Sequence, residues 1–259
     1  MDVLVVDVGG TNVKILATGE RQRREFVSGP TLTPKEMVVR VRKLAGDWAY
    51  AAVSIGYPGA VRQGRVVAEP FNLAPGWVGF DFAAAFDRPV KLVNDAAMQA
   101  LGSYQGGTML FLGLGTGLGT ALVVDGIVIP LEIGHLPYRK RTFEDYLGVR
   151  GLRRLGPKKW EKHVVRVVEQ LSAAFLPDQV VLGGGNAKRL TTLPPGCRRC
   201  QMGNNANAFL GGFRLWEPAR SARRSTASRG VLSRRRRASP QEEGTPASVD
   251  AERKAATAG

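Results

Sequence analysis

The chain has 259 residues, 44% of them hydrophobic, which is enough to bury a substantial core, yet no apolar run reaches membrane-spanning length. Its 37 basic and 22 acidic residues leave a net charge of +15, which invites a polyanionic partner. The two cysteines, Cys197 and Cys200, exclude a disulfide framework and make half of a zinc site at most, so they are expected as reduced thiols.

Residues 2–8 form a buried strand, Gly9-Gly10-Thr11-Asn12 a turn, and residues 13–18 a returning strand. A strand this early, with no basic segment before it, predicts no secretory leader and a cytoplasmic location. A basic segment follows at residues 21–27. Thr33-Pro34-Lys35-Glu36 then starts a helix, with Thr33 as N-cap, Pro34 in the first turn, and Met37, Val38, Val41 and Leu44 on one apolar face. Residues 51–55 are a short buried strand ending in the turn Gly56-Tyr57-Pro58-Gly59. The proline-punctuated stretch 61–77 has the character of a loop over a site. Residues 90–93 are a further strand, and Asn94-Asp95 stands where it becomes a helix over 96–101.

Residues 109–120, MLFLGLGTGLGT, give a second strand–glycine turn–strand unit about a hundred residues after the first. Gly115, Gly117 and Gly119 let backbone N–H groups approach an anion, as a phosphate cradle requires and as a plain hairpin also permits. No Gly-Lys-Ser/Thr ends the loop, and Leu118 occupies the third glycine position of a dinucleotide fingerprint, so neither of those cradles applies. Residues 127–129 complete a sheet, and 131–138 cross to a helical region. Gly156-Pro157 opens a long helix in which Trp160, His163, Val164, Val167, Val168, Leu171 and Phe175 recur at helical spacing. Residues 179–182 form a strand running into Gly183-Gly184-Gly185, followed by a short helix at 186–190 and a last apolar-faced segment at 207–216.

Asp7 ends a strand beside a turn that offers N–H groups and the Thr11 hydroxyl, which suits a metal-bound phosphate and equally a structural turn. Asp95 is either a helix N-cap or a carboxylate placed to take a hydroxyl proton. Glu132-Ile133-Gly134-His135 suits the adjacent hydroxyls of a sugar as well as a solvated helix end. Glu144 alone is an ordinary helix surface residue.

Taken in order, the segments 7–11, 56–59, 94–95, 115–119, 132–135 and 183–185 resemble the ROK family of bacterial sugar kinases, and within it the polyphosphate glucokinases. The resemblance spans residues 1–216. It implies an α/β architecture, the duplicated actin-like ATPase (ribonuclease H-like) fold, with two domains around a cleft. Residues 1–105 would form the N-terminal kinase domain and 106–203 the C-terminal one, with a helix in 204–218 packing back on the core. The same resemblance makes Asp95 the catalytic base and gives the sugar to Asn94, Gly59, Glu132, His135 and Glu144. It gives phosphates to Asp7, Gly9, Gly10, Thr11, Lys14, Gly115, Thr116, Gly117 and Gly184, with Mg²⁺ near Asp7. The implied reaction is phosphoryl transfer from polyphosphate or ATP to the 6-hydroxyl of glucose.

ROK members usually carry a zinc-binding cysteine cluster soon after the histidine, but residues 136–147 (LPYRKRTFEDYL) have no cysteine, so no zinc is expected. ROK repressors place a DNA-binding helical domain before the kinase core, whereas this sequence starts at the first strand, which favours an enzyme. A sugar-responsive regulatory or binding protein on the same scaffold and an ATP-only hexose kinase are the alternatives. A homodimer is expected, and neither membrane nor nucleic acid is. A long polyanion needs a basic track beyond the two turns, and positive charge is dense at Arg139, Lys140, Arg141, Arg150, Arg153, Arg154, Lys158 and Lys159.

Residues 219–259 hold ten basic and four acidic residues and little to bury, so a disordered basic tail is expected. Truncation after Pro218 is expected to leave the melting temperature and kinase activity unchanged; a large loss of either would mean that the tail packs on the core.

Overall fold

The computed structural model describes residues 1–199 and 206–217, so Cys200 and the expected tail lie outside the described residues. β1 (Val3–Val8) is buried along its whole length, with Asp7 its one ionisable residue. The glycine turn after it returns the chain antiparallel as β2 (Asn12–Ala17), and β3 (Arg24–Val27) extends the meander. α1 (Pro34–Ala45) starts where expected, because the Thr33 hydroxyl accepts from the Glu36 amide and Pro34 occupies the first turn. This crossover lets β4 (Ala52–Tyr57) lie parallel to β1. A small hairpin, β5 (Val61–Arg62) and β6 (Arg65–Val66), and the short α2 (Phe82–Phe86) lead to β7 (Val90–Asn94), parallel to β4. The first sheet has the order β3-β2-β1-β4-β7.

α3 (Asp95–Ser103) carries the chain to the second sheet, where β8 (Thr108–Leu114), β9 (Leu118–Val124) and β10 (Ile127–Leu131) form another antiparallel meander. A 3₁₀ turn at Ile133–His135 follows, then a hairpin of β11 (Pro137–Tyr138) and β12 (Arg141–Thr142). α4 (Phe143–Leu147), α5 (Val149–Leu155) and the long α6 (Pro157–Phe175) come next. β13 (Gln179–Gly183) then pairs parallel with β8, and β14 (Cys197–Arg199) pairs parallel with β13, for the order β10-β9-β8-β13-β14. The described chain closes with α7 (Ala206–Arg214). Both sheets therefore follow one plan, and the two strand–glycine turn–strand units are the first hairpin of each. Among the described residues no helix is long and apolar enough to cross a membrane.

Strand alternation assigns the faces. In β1, Leu4, Val6 and Val8 join the core under Met37 and Val41 of α1, whereas Val3 and Val5 meet Met98 of α3 and Ala208 and Phe209 of α7. In the second sheet, Leu110, Leu112 and Leu182 pack with Trp160, Val164, Val167 and Val168 of α6. Its other face, with Phe111, Val123 and Val181, packs on Ala96, Ala97 and Ala100 of α3. α3 is thus held between the two sheets, and its small residues let it lie close to both.

Both ends of α3 are tied. The Asn94 side chain accepts from the Ala96 and Ala97 amides at the start, and Arg214 Nη1 donates to the carbonyls of Leu101, Gly102 and Tyr104 at 2.7, 3.2 and 2.9 Å at the end. α7 crosses α3 at facing glycines: a Cβ on Gly102 would fall on the Asn207 carbonyl, and one on Gly211 on the Met98 carbonyl.

Several elements differ from expectation. β4 continues through Gly56 and Tyr57, because Tyr57 is buried and its hydroxyl donates to the Ala68 carbonyl, so the turn begins only at Pro58. The helix expected at 186–190 is a 3₁₀ turn, Ala187–Arg189. α2 was not expected, since five residues show no period, and the helical region expected after residue 138 is two short helices, α4 and α5, preceded by a small hairpin. Cys197 is a free thiol in a strand of the second sheet, where burial pushes its pKa up to about 11.

Replacing Gly102 or Gly211 with Ala should each cost about 1–3 kcal/mol or more, as overpacking of a backbone crossing does. Urea denaturation is the measurement, and wild-type midpoints for both variants would show that the two helices part easily.

Candidate active site

Asp7 shares its face of β1 with Val3 and Val5, the face covered by α3. In the sheet it stands level with Gly56 of β4, which in turn is level with Val93 of β7, one residue short of Asn94. A Cβ on Gly56 would displace the flexible end of Met98 and stand 3.6 Å from the Asp95 Cα, an ordinary contact. From the other sheet, a Cβ on Gly119 of β9 would collide with that of Ala96, which cannot move aside. Gly119, with Gly56 level with Asp7 on the other side, thus lets the first turn of α3 lie close to both sheets and brings Asp95 towards Asp7.

The N-cap of α3 is Asn94, not Asp95. Its Oδ1 accepts from Ala96 and Ala97 at 2.9 and 3.2 Å, and its Nδ2 donates to the Gly59 carbonyl at 3.0 Å, so it ties the strand end, the helix and the turn after β4 together. Asp95 is the first helical residue, and its carboxylate accepts from the Ala96 amide at 2.7 Å. The residue keeps a partial opening to solvent while its carboxyl is enclosed by protein. That enclosure, with the charge of Asp7 next in importance, lifts its pKa to about 7; the Ala96 amide opposes the rise and Glu132 adds to it.

The first glycine turn closes on itself through Gly9 N–H to the Asn12 carbonyl at 3.0 Å, and Ser28 Oγ donates to the Gly9 carbonyl at 2.7 Å. Lys14 stands opposite Asp7 across the hairpin, on the same face. The second turn closes through Gly115 N–H to the Gly117 carbonyl at 3.2 Å. It is enclosed from three sides: Val149 N–H donates to the Gly115 and Thr116 carbonyls, Asn186 Nδ2 donates to the Gly115 carbonyl at 2.9 Å, and Gly184, at φ +79°, lies against the Leu114 backbone. Among the described residues no backbone carbonyl accepts from the amides of Gly10, Thr11, Thr116 or Gly117, whereas those of Gly9 and Gly115 close the turns.

Glu132 and His135 lie on the 3₁₀ turn after β10, with His135 Nε2 3.5 Å from Glu132 Oε2. Their side chains are 56% and 62% exposed, so the burial that a closed hydroxyl pocket implies is not present: the turn buries Ile133 and Gly134 against the core and leaves the two residues on either side of them facing outward. Partial burial and the charge of Glu144 raise the pKa of Glu132, while His135 opposes this. Glu144, an unremarkable helix residue in sequence, rests its carboxylate against Gly117 and pairs with Arg150 at 2.9 Å. Asp7, Asp95, Glu132 and Glu144 thus form a succession of mutually felt charges along the junction. Among the described residues no three histidines, cysteines or carboxylates converge as a metal cage.

One supporting residue escaped the sequence reading, and another was read only as part of a basic stretch. Glu69 accepts from the amides of Gly76, Trp77 and Val78 at 3.0, 3.0 and 3.2 Å, which lowers its pKa against the opposing effect of desolvation and folds the loop back on itself. That loop sets Asn72 against Gly10. The other is Arg150, whose role depends on a contact with Glu144 that spacing along the chain does not reveal.

Comparison with known proteins bears on this arrangement. The model of the ROK family matches residues 3–144. Polyphosphate glucokinase from Mycobacterium tuberculosis (strain ATCC 25618 / H37Rv) is 27% identical over 206 residues, covering 71% of this chain and 77% of that protein. The polyphosphate glucokinase of Mycobacterium leprae (strain TN) is also 27% identical over 206 residues, and there the chain spans 63% of its relative's length. Among solved structures, the inorganic polyphosphate/ATP-glucomannokinase from Arthrobacter sp. strain KM superposes with a TM-score of 0.69 at 23% identity, covering 83% of this chain and 98% of that one. This likeness establishes the fold, the duplicated actin-like ATPase architecture expected from the sequence.

A carboxyl whose pKa rises from 3.8 to about 7 on folding binds its proton more tightly in the native state, so it favours folding at low pH and opposes it as pH climbs through 7. Asp95→Asn keeps the contact with the Ala96 amide and carries no charge. It should therefore melt a few degrees above wild type at pH 8, with the gap closing towards pH 5; a variant that melts lower at pH 8 would mean that Asp95 is not strained.

Proposed function

The chain belongs to the ROK family, and from that premise we propose that it is a glucokinase, transferring a phosphoryl group from polyphosphate or ATP to the 6-hydroxyl of glucose. The observation that carries this reading is Asp95: a carboxyl titrating near neutrality, held at the junction of two sheets whose glycine turns, among the described residues, leave amides that no backbone carbonyl takes. A base with such a pKa is deprotonated enough to act at pH 7 and basic enough to draw a hydroxyl proton as the oxygen attacks.

In the proposed reaction the 6-oxygen forms a bond to the terminal phosphorus of the donor while its proton passes to Asp95. The bond from that phosphorus to the bridging oxygen breaks, and ADP or a polyphosphate shortened by one unit leaves as the anion. The amides of Gly10, Thr11, Thr116 and Gly117 hold the donor's oxygens in line, since catalysis of this kind is chiefly positioning and charge stabilisation. Asp7 would hold Mg²⁺, which fits the junction because a dication offsets two neighbouring carboxylates, and it needs only one or two protein ligands when phosphates supply the rest. Bound there, it would neutralise donor charge. Glu132, His135 and Glu144 offer acceptors and a donor to the sugar hydroxyls, and Asn94 with Gly59 fixes the floor beside them.

Production of glucose 6-phosphate with each donor tests the assignment, and sugar binding without turnover on either donor would favour a regulatory protein. Asp95→Asn should remain folded and lose at least about 10²-fold in kcat, the lower range for a positioned base. In the wild type, kcat/KM should fall as pH drops below about 7, because the protonated base cannot accept. Near-normal turnover in the variant would reduce Asp95 to a helix-terminal residue.

A further inference from the structure

α5 begins on the second glycine turn, where Val149 N–H reaches the Gly115 and Thr116 carbonyls, and its arginines lead away from that turn. Arg150 comes first, 2.9 Å from Glu144 and 3.2 Å from Asp145. One helical turn on, Arg154 donates to the Asp145 carbonyl at 3.0 Å and lies 5.0 Å from the centre of the Tyr146 ring. That ring packs on His163 of α6 with centroids 4.8 Å apart, and His163 Nδ1 is 3.0 Å from the Tyr138 hydroxyl. Arg139, at the tip of the β11–β12 hairpin, stands 5.9 Å from the Tyr138 ring, and with Arg166 of α6 it borders an open groove of about 460 Å³ floored by Tyr138 and Phe143. The contacts are continuous from the glycine turn to this groove.

The charges along this path are unbalanced. Among the described residues none of Arg139, Arg154 and Arg166 has a carboxylate within 4.0 Å, unlike Arg150. Burial, and after it the charges of all three, hold His163 below its ordinary pKa, so all three lie within electrostatic reach of that ring. Like charges gathered without counter-charges oppose folding, and a bound polyanion removes that cost. Guanidinium groups also match phosphate oxygens in geometry.

We propose that the strip Arg150–Arg154–Arg166–Arg139 binds the distal units of an inorganic polyphosphate chain whose reacting end lies at the Gly115–Gly117 turn. This deepens the functional reading above and rests on it for the direction of the chain. Of the basic residues expected to form a track, Arg139, Arg150 and Arg154 are linked by contacts; Arg166 joins them through the groove. Nucleic acid fits less well, because Tyr138 and Phe143 are buried at 6% and 9% exposure and Tyr146 is covered by Arg154 and His163, leaving no ring on which bases can stack.

The test uses the full chain and measures binding by competition against labelled long-chain polyphosphate without sugar, alongside glucose phosphorylation. The wild type should bind long-chain polyphosphate more tightly than tripolyphosphate, with an affinity that falls steeply with salt, as counterion release requires. Arg139→Glu with Arg166→Glu should cut the ratio of long-chain to tripolyphosphate affinity by about tenfold and flatten the salt dependence. Arg139→Gln with Arg166→Gln should act in the same direction to a smaller extent, which separates lost charge from misfolding. If the ratio falls as expected but polyphosphate yields no glucose 6-phosphate, the track stands and the donor assignment fails. If polyphosphate does phosphorylate glucose while both double variants keep the wild-type ratio, the track is overturned and the kinase reading survives. Equal binding of single-stranded DNA of matched charge, lost in the same variants, would overturn polyphosphate as the occupant.

Discussion

The approach of two carboxylates, Asp7 and Asp95, is the constraint on which the rest of the structure depends. Left to themselves they would separate or be solvated; instead the first turn of α3 is lowered between two sheets until the charge of one is felt by the other. Gly119 and, less strictly, Gly56 make room for that descent, and Asn94 and Arg214 fix the two ends of the helix. The strain is tolerated because α3 is buried on several sides by alanines and by Met98. Under the proposed function, the stability given up at the Asp95 carboxyl is the condition for a base that works near neutral pH.

The duplicated plan of the sheets explains why both cradles face one place. Each begins with a hairpin whose turn follows its central strand, and the first turn of α3 stands at the end of β7 on one side and against Gly119, just past the second turn, on the other. The turns differ in support: Ser28 and the loop carrying Asn72 flank the first, whereas α5, Asn186 and Gly184 enclose the second. Glu69 belongs to this scaffold, since a carboxylate that accepts three consecutive amides gives an irregular loop the fixity of a regular element.

Much of this was legible in the sequence, for identifiable reasons. The buried strands at Val3–Val8 and Thr108–Leu114 are continuous apolar runs ended by glycine, and α1 and α6 announce themselves through Thr33-Pro34, Gly156-Pro157 and a clear period. Asp7, Asp95 and the glycine turns stand at strand ends, where the alternation breaks. Short elements were lost or left without bounds, as α2 and α5 were, because five to seven residues hold too little pattern. The exchange of capping role between Asp95 and Asn94 could not be read, since either side chain can satisfy a helix start. The importance of Glu144 and Arg150 arises only when α4 and α5 fold against Gly117, a contact between residues some thirty positions apart.

The position of α7 has a consequence for how the chain comes into being. Arg214 closes the end of α3 across 113 residues of sequence, and Ser54 Oγ donates to the Gly212 carbonyl across 158. During synthesis from the N-terminus the inner face of the first sheet, with Val3 and Val5, can meet Met98 once α3 has emerged but gains Ala208 and Phe209 of α7 only when almost all the described chain is made. The helix bearing Asp95 gains its last restraint at that late moment, so in an incomplete nascent chain the junction of the two sheets is held by one helix alone.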